Sequence, residues 1–301
     1  MRPVHLAIGV LDGVHAGHRA VLASARAAAR ADGGEVVALT FEPHPSRVLR
    51  PAEPTLLILD KAAKEERLAE AGADRVVHQP FDEAHRSIGA EAYLPWLRGA
   101  FPGLRSAHIG DNFRYGKGRA GDAAALAAAG KAAGVAVHAA PAVMVRGEPA
   151  SSSRIREALL AGDLALANEM LVRPYEAEGT ITPGRQLGRR LGLPTLNLPW
   201  SPELVPAFGV YAAEVLTPEG VAEPAVMNWG VRPTVEDGPV APLCEAHLLR
   251  PTGRVPVPGD RIRLRWLCRI REERRFADLE ALKGQVEKDK AEAMARLGLK
   301  G

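Results

Sequence analysis

The chain has 301 residues, with 39 Lys+Arg against 36 Asp+Glu, 47% hydrophobic and 25% charged residues, a globular composition long enough for one large domain or two ordinary ones. The basic surplus is even, with 21 basic and 19 acidic residues up to Arg173 and 18 and 17 beyond it, so no block or tail points to nucleic acid. No run nears the ~18 apolar residues of a membrane span, and the opening MRPVHLAIGVLDG has too short an apolar core for a signal peptide. Cys244 and Cys268 read as small core residues of a reducing compartment. The expectation is a cytoplasmic protein with small-molecule partners and no sign of an obligate protein partner.

Apolar runs at 4–10, 35–41, 75–81, 106–110 and 135–139 predict strands. Alanine-rich segments near 17–32, 61–72, 89–98 and 121–133 predict helices between them. Of 52 alanines, 40 lie in residues 1–180, and alanine is the best helix former. Strands alternating with helices imply an α/β domain with a parallel sheet covered on both faces. Two further helices, near 152–161 and 163–171, precede Arg173-Pro174. Short β-type runs follow at 175–182, 209–216, 223–229 and 243–249. The clearest strand is Asp260–Ile270, where Ile262, Leu264, Trp266, Cys268 and Ile270 alternate with arginines at a period of two. Closely spaced antiparallel strands suggest a small closed β-barrel. A helix at about 278–297, carrying Leu279, Leu282, Val286 and Leu297, ends at Gly298. Two domains are expected, 1–173 and 174–301.

The first strand runs into Gly9-Val10-Leu11-Asp12-Gly13-Val14-His15-Ala16-Gly17-His18, where a helix starts. A helix N-terminus at the carboxyl end of a parallel strand offers free N–H groups and a positive dipole end to anions. Gly17 allows close approach to the backbone, and His15 and His18 add donors. Nucleotidyl transfer is the chemistry such a site supports; a turn whose histidines merely cap the helix is the plainer alternative. Ser151-Ser152-Ser153-Arg154-Ile155-Arg156 opens another helix, with capping hydroxyls and the Arg156 fork for a second anion.

In the second half, Gly179–Asn197 is dense in glycine and arginine and ends in Pro194-Thr195-Leu196-Asn197. Closely spaced glycines let a loop wrap a phosphate. The Thr195 hydroxyl and the Asn197 carbonyl are hard oxygen donors suited to Mg²⁺. Glu245 and His247 share one face of a strand, which makes Glu245 either a general base or an ordinary surface charge.

These motifs resemble the bifunctional prokaryotic riboflavin kinase/FAD synthetase family across essentially the whole chain. The resemblance rests on Gly9–His18, Phe41-Glu42-Pro43-His44-Pro45, Gly110-Asp111-Asn112-Phe113-Arg114-Tyr115-Gly116 and Ser151–Arg156. It continues through Pro194–Asn197, Phe208-Gly209-Val210-Tyr211, Asn228-Trp229-Gly230-Val231-Arg232-Pro233-Thr234, Glu245-Ala246-His247 and two C-terminal segments, Arg271–Phe276 and Gln285–Asp289. It implies a Rossmann-like nucleotidyltransferase domain followed by a riboflavin kinase-like barrel, with ATP as co-substrate and riboflavin, FMN and FAD as substrates and products. Gly9, Asp12, His15, Gly17, His18, Ser152, Ser153 and Arg156 would hold ATP, while Asn112, Phe113 and Tyr115 would position FMN. In the barrel, Gly184, Arg185, Gly188, Arg189, Gly192, Asn228 and Arg232 would bind substrate. Thr195 and Asn197 would hold Mg²⁺, and Glu245 would act as base. The chain departs from the family at Val10-Leu11 (Asn-Phe), at Ser153 (Thr) and at Arg250–Pro256, which replaces an aromatic segment. Two alternatives stay open: a riboflavin kinase with a weakened or redirected nucleotidyltransferase domain, and a non-catalytic flavin-binding regulatory protein.

Overall fold

The computed structural model describes residues 2–184, 195–231 and 242–299. Contacts divide the chain into two units, Met1–Ser153 and Arg154–Gly301.

In the first unit, β1 (Val4–Ile8), β2 (Glu35–Glu42), β3 (Arg75–Pro80), β4 (Leu104–Gly110) and β5 (Ala136–Ala140) form one sheet in the order β3-β2-β1-β4-β5. Every pairing is parallel. Helices α1 (Ala16–Asp32), α2 (Lys61–Glu70), α3 (Ala90–Ala100) and α4 (Ala123–Ala133) connect the strands. Alternate residues of β1 serve two cores: Leu6 and Ile8 pack with Leu39, Leu97 and Ile109, while Ala7 packs with Leu22, Val36 and Leu68. The strand order reverses at β1, between β2 and β4, so the ligand crevice of such a sheet opens at these carboxyl ends. Each predicted element is present. Two short helices, Pro45–Leu49 and Glu83–Arg86, and two-residue hairpin strands at Arg114–Tyr115 and Met144–Val145 are additions. They are too short to leave a periodic signal.

A polar seam joins α1 to the sheet. Asp32 Oδ1 lies 3.0 Å from His5 Nε2, and His5 Nδ1 lies 2.7 Å from Ser106 Oγ. Ser106 Oγ is 2.7 Å from His108 Nε2, and His108 Nδ1 is 2.8 Å from Ser24 Oγ. His5, Ser106 and His108 are buried.

Helices α5 (Ser152–Ala161) and α6 (Leu164–Leu171) follow. The contact border falls before Arg173 because these helices pack with the barrel. The Asn168 amide nitrogen donates to the Trp266 carbonyl, and its oxygen accepts from Tyr175 N, both at 2.8 Å. The barrel comprises β6 (Tyr175–Thr180), β7 (Leu196–Pro199), β8 (Gly209–Leu216), β9 (Ala222–Val231), β10 (Pro242–Leu248) and β11 (Arg261–Arg271), in the order β6-β11-β8-β9-β10-β7. Thr182 N donates to Asn197 O at 2.9 Å, bringing the two ends of the sheet together. Short, proline-bounded β7 was not among the predicted strands.

Tyr175, Trp200, Tyr211, Trp229 and Trp266 fill the barrel, with ring contacts of 4.8–5.9 Å. The arginines in the first half of β11 point the other way and pair with β6: Arg261 and Arg263 meet Glu178, and Arg265 meets Glu176. The alternation relaxes past Trp266, where the pairing with β8 shifts register. Cys268 is accordingly half-buried, and both cysteines are free thiols.

Helix α7 (Leu279–Arg296) turns Leu282 and Val286, with Leu297 just beyond its end, half-buried on the face that carries Asp289 and Ala293. Leu279 is exposed, whereas Asp289 and Ala293 are buried. Asp289 accepts a two-pronged ion pair from Arg271 (2.9 and 2.6 Å) and a hydrogen bond from Gln285 at 2.7 Å. Gly298 ends the helix at φ +68°.

Two outcomes follow from these polar contacts. Asp289→Ala strands a half-enclosed guanidinium and should lower unfolding free energy by about 3 kcal/mol, measured by urea titration. Burial, with His138 and His5 adding to it, pushes the His108 imidazole down to about 4. A depressed folded-state value means the unfolded chain takes up the proton first, so stability is lost as pH falls from the free-histidine value of 6.5 towards 4. Thermal midpoints between pH 7 and 4.5 should fall, and His108→Asn should flatten that fall.

Candidate active sites

The first site is built by a strained turn. Leu11, Gly13 and Val14 have φ of 55°, 82° and 45°, the left-handed region that a β-branched valine rarely enters. Such residues persist where the surroundings over-determine them. Leu11 and Val14 are buried in the core beneath α1, and the Asp12 carboxylate accepts the amides of Ile58 and Leu59 at 3.1–3.2 Å. The Asp12 side chain is thereby committed to holding the turn. Its carbonyl accepts the Ser152 hydroxyl at 2.8 Å, which brings the start of α5 to the turn.

His15 is the N-cap of α1. Its Nδ1 accepts from Gly17 N at 3.1 Å, which puts the proton of the neutral ring on Nε2. The capping alternative is therefore real, and the Gly17 amide is spent on it. What Gly17 grants is close approach of the ring, since a Cβ there would stand 3.0 Å from His15 Cε1. The His15 and His18 rings stack with centroids 3.7 Å apart. Among the described residues, His18 Nδ1 is buried without a partner. Burial, then His15, then Lys64 hold the His18 imidazole well below 6.5, so it is neutral at physiological pH.

Gly9 closes β1, where a Cβ would press on the Leu11 side chain. Ser153 is exposed, and Arg156 follows one helical turn after Ser152 on α5. His44 caps the short helix after β2 through Ser46 N at 3.1 Å. On the loop after β4, Asn112 is exposed and Phe113 half-buried. Tyr115 is buried against Tyr93 and Phe113, so it supports the loop from beneath.

Two residues the motifs did not single out belong here. Lys64 and Thr40 are buried in contact, Nζ to Oγ1 at 3.4 Å, and Thr40 donates to the Val10 carbonyl at 2.7 Å. The run Lys61-Ala62-Ala63-Lys64-Glu65-Glu66-Arg67 reads as a solvated helix face. A signal was nonetheless present, because Lys64 and Leu68 are four residues apart and share one face.

The second site is a row across three strands. Glu245 on β10 is directly opposite Asn197 on β7 and directly opposite Asn228 on β9. Opposed Cβ atoms are ~4.5–5.5 Å apart, so the three side chains are neighbours on one face. One residue along, Trp229, Cys244 and Leu198 form the matching row on the core face. The Asn197 amide nitrogen donates to the Thr195 carbonyl at 3.3 Å, and Asn228 donates to Glu273 at 3.2 Å. A side chain at Gly184 would overlap the Asn197 carboxamide. Arg185, Gly188, Arg189, Gly192 and Arg232 lie outside the described residues. The Arg250–Pro256 segment is anchored by Glu223, whose Oε1 accepts from Thr252 N, Thr252 Oγ1 and Gly253 N at 2.9 Å.

The FAD synthetase family model matches residues 1–154, and the riboflavin kinase model matches residues 171–297. A bifunctional riboflavin kinase/FMN adenylyltransferase of Pseudomonas fluorescens is 37% identical, covering 98% of this chain and 94% of that one. Proteins of the same description from Escherichia coli K12 and Bacillus subtilis are each 34% identical, covering 98% and 96% of this chain and 93% and 91% of theirs. The chain belongs to the bifunctional riboflavin kinase/FMN adenylyltransferase family. A solved Streptococcus pneumoniae structure, described as a macrolide-efflux protein, shares the fold at a TM-score of 0.84 and 26% identity, covering 96% of this chain and 93% of that one. Among the described residues here, no helix is long and apolar enough to cross a membrane.

The buried histidine pair generates a direct test. In the free protein, NMR titration should find His18 below 6.5, and added pyrophosphate should raise it, because an adjacent anion favours the charged imidazole.

Proposed function

We propose that the chain carries out its family's two reactions at these two sites, phosphorylating riboflavin to FMN in the barrel and adenylylating FMN to FAD at the His15–His18 turn. The observation that carries the kinase half is the Asn197–Glu245–Asn228 row. Glu245 acts as base towards the ribityl 5′-hydroxyl, which attacks the γ-phosphorus of ATP while the neighbouring amides hold the reactants in line. Catalysis here is largely positioning and charge stabilisation. The Thr195 hydroxyl and the Asn197 Oδ1 are hard oxygens that fit Mg²⁺. Among the described residues there is no His/Cys/Asp/Glu cluster that could hold a metal. When bound, Mg²⁺ would offset charge on the ATP phosphates.

At the first site, an FMN phosphate oxygen attacks the α-phosphorus of a second ATP, and pyrophosphate leaves with the bonding electrons. His15, through Nε2–H, and His18 donate to oxygens gaining charge, with Ser152, Ser153 and Arg156 assigned to the leaving phosphates. Asn112 and Phe113 contact the flavin nucleotide, and Tyr115 backs their loop. Leu11 sits in the core, so leucine for phenylalanine there changes packing beneath the turn, while Val10 in place of asparagine removes one amide and leaves the histidines, serines and Arg156 as donors. We assign Gly184, Arg185, Gly188, Arg189, Gly192, Asn228 and Arg232 to substrate binding in the barrel. We set the catalytic modules at 1–173 and 174–301. Two free thiols support work in the reducing cytoplasm.

Chromatographic separation of flavins after incubation with riboflavin, ATP and Mg²⁺, and separately with FMN and ATP, tests both halves. Glu245→Gln should cut FMN formation by about 100-fold or more while FMN is still converted to FAD. His18→Ala should cut FAD formation about 100-fold and spare FMN formation. Loss of both activities in either variant contradicts two separate sites.

A further inference from the structure

Lys64 stands where a lysine has no structural reason to be. It is 5% exposed, whereas Lys61, one turn earlier on α2, is exposed. Its ammonium has three donors, yet among the described residues it makes one hydrogen bond, the 3.4 Å contact to Thr40 Oγ1. That hydroxyl has already given its proton to the Val10 carbonyl, so it only accepts from Lys64. Asp12, Glu42 and Glu65 attract the ammonium from beyond ion-pair distance, and burial still pushes its pKa below the usual 10.5. A buried ammonium without an ion pair is costly, and a fold gains nothing from one that an apolar side chain would not supply better.

Its position gives the charge a purpose. Thr40 lies on β2 beside the carboxyl end of β1, at the crevice where parallel sheets bind ligands. The Lys64 charge also reaches His18, whose imidazole it helps to keep neutral. The neutral His18 imidazole donates a hydrogen bond and brings no charge of its own, so the charge that a polyphosphate site draws on comes from other side chains.

We propose that Lys64 is a phosphate-binding catalytic residue of the His15–His18 site, its ammonium taking the oxygens that gain charge as adenylyl transfer proceeds. The proposal rests on the adenylyl-transfer reading. The Pα–O bond to the flavin phosphate forms, the bond to the β-phosphate breaks, and pyrophosphate carries the electron pair away. Lys64 exchanges no proton in this step; it holds charge.

The test uses the full chain and three variants, Lys64→Met, Lys64→Gln and Lys64→Arg. Lys64→Met should lower kcat for FAD formation about 100-fold and weaken pyrophosphate binding at least tenfold by calorimetry. Riboflavin phosphorylation should be unchanged and the thermal midpoint equal or higher, because a desolvated charge has been removed. The His18 titration should move up, and Lys64→Arg should recover pyrophosphate binding better than Lys64→Gln. Wild-type FAD formation in Lys64→Met overturns the proposal, as does a lower midpoint with both activities lost together. If the unaltered chain makes no FAD, the adenylyl-transfer reading fails, and equal pyrophosphate binding by chain and variant then overturns the Lys64 assignment separately.

Discussion

The Asp12 carboxylate accepts the amides of Ile58 and Leu59 while its own carbonyl accepts the Ser152 hydroxyl. Through this one residue the end of β1, the approach to α2 and the start of α5 are held to each other. The left-handed turn from Leu11 to Val14 depends on that hold, since residues in such conformations cost ~1–3 kcal/mol each unless their surroundings fix them. The turn in turn sets where His15 enters α1 and therefore where the stacked histidines stand. Removing charge from Asp12 would release a chain of consequences that no single hydrogen bond at the histidines could restore.

The barrel reaches the same end by pairing register. Asn197, Glu245 and Asn228 come from three strands far apart in sequence, and antiparallel pairing makes them neighbours. A one-residue slip of β10 would put Glu245 on the face with Trp229 and Trp266 and bring Cys244 or Ala246 to the site. The tryptophan core guards against this slip, because slipping would bury the Glu245 carboxylate among apolar rings. Register is fixed from inside the barrel, and chemistry is placed outside it.

Much of this was legible in the sequence, for reasons that differ by element. The five strands and four connecting helices of the first unit follow from apolar runs and alanine content, and β11 from its strict alternation through Trp266. Helix α7 was legible as a helix with Leu282, Val286 and Leu297 on its packed face, but the burial of Asp289 among them was not, since its pair with Arg271 is a tertiary contact with no local pattern. Strand β7 was hidden by prolines on both sides. The histidine pair, Glu245, Thr195 and Asn197 were visible as motifs, yet that Glu245 faces both Asn197 and Asn228 is a property of register and not of spacing. Lys64 was masked by its charged neighbours: a lysine among glutamates reads as solvated until burial shows otherwise. Asp12 and Tyr115 were recognised as parts of their motifs, but their side chains serve the backbone and the loop.

Asn197 has a double duty. Its carbonyl fastens Thr182 and so joins the two ends of the barrel sheet, while its side chain stands in the row with Glu245. Closing the barrel and assembling the site are therefore the same event along the folding pathway. A chain in which β7 has not yet docked has an open sheet edge and, on the proposed reading, an incomplete row at Glu245. On that reading, catalytic competence of this unit would report completed folding.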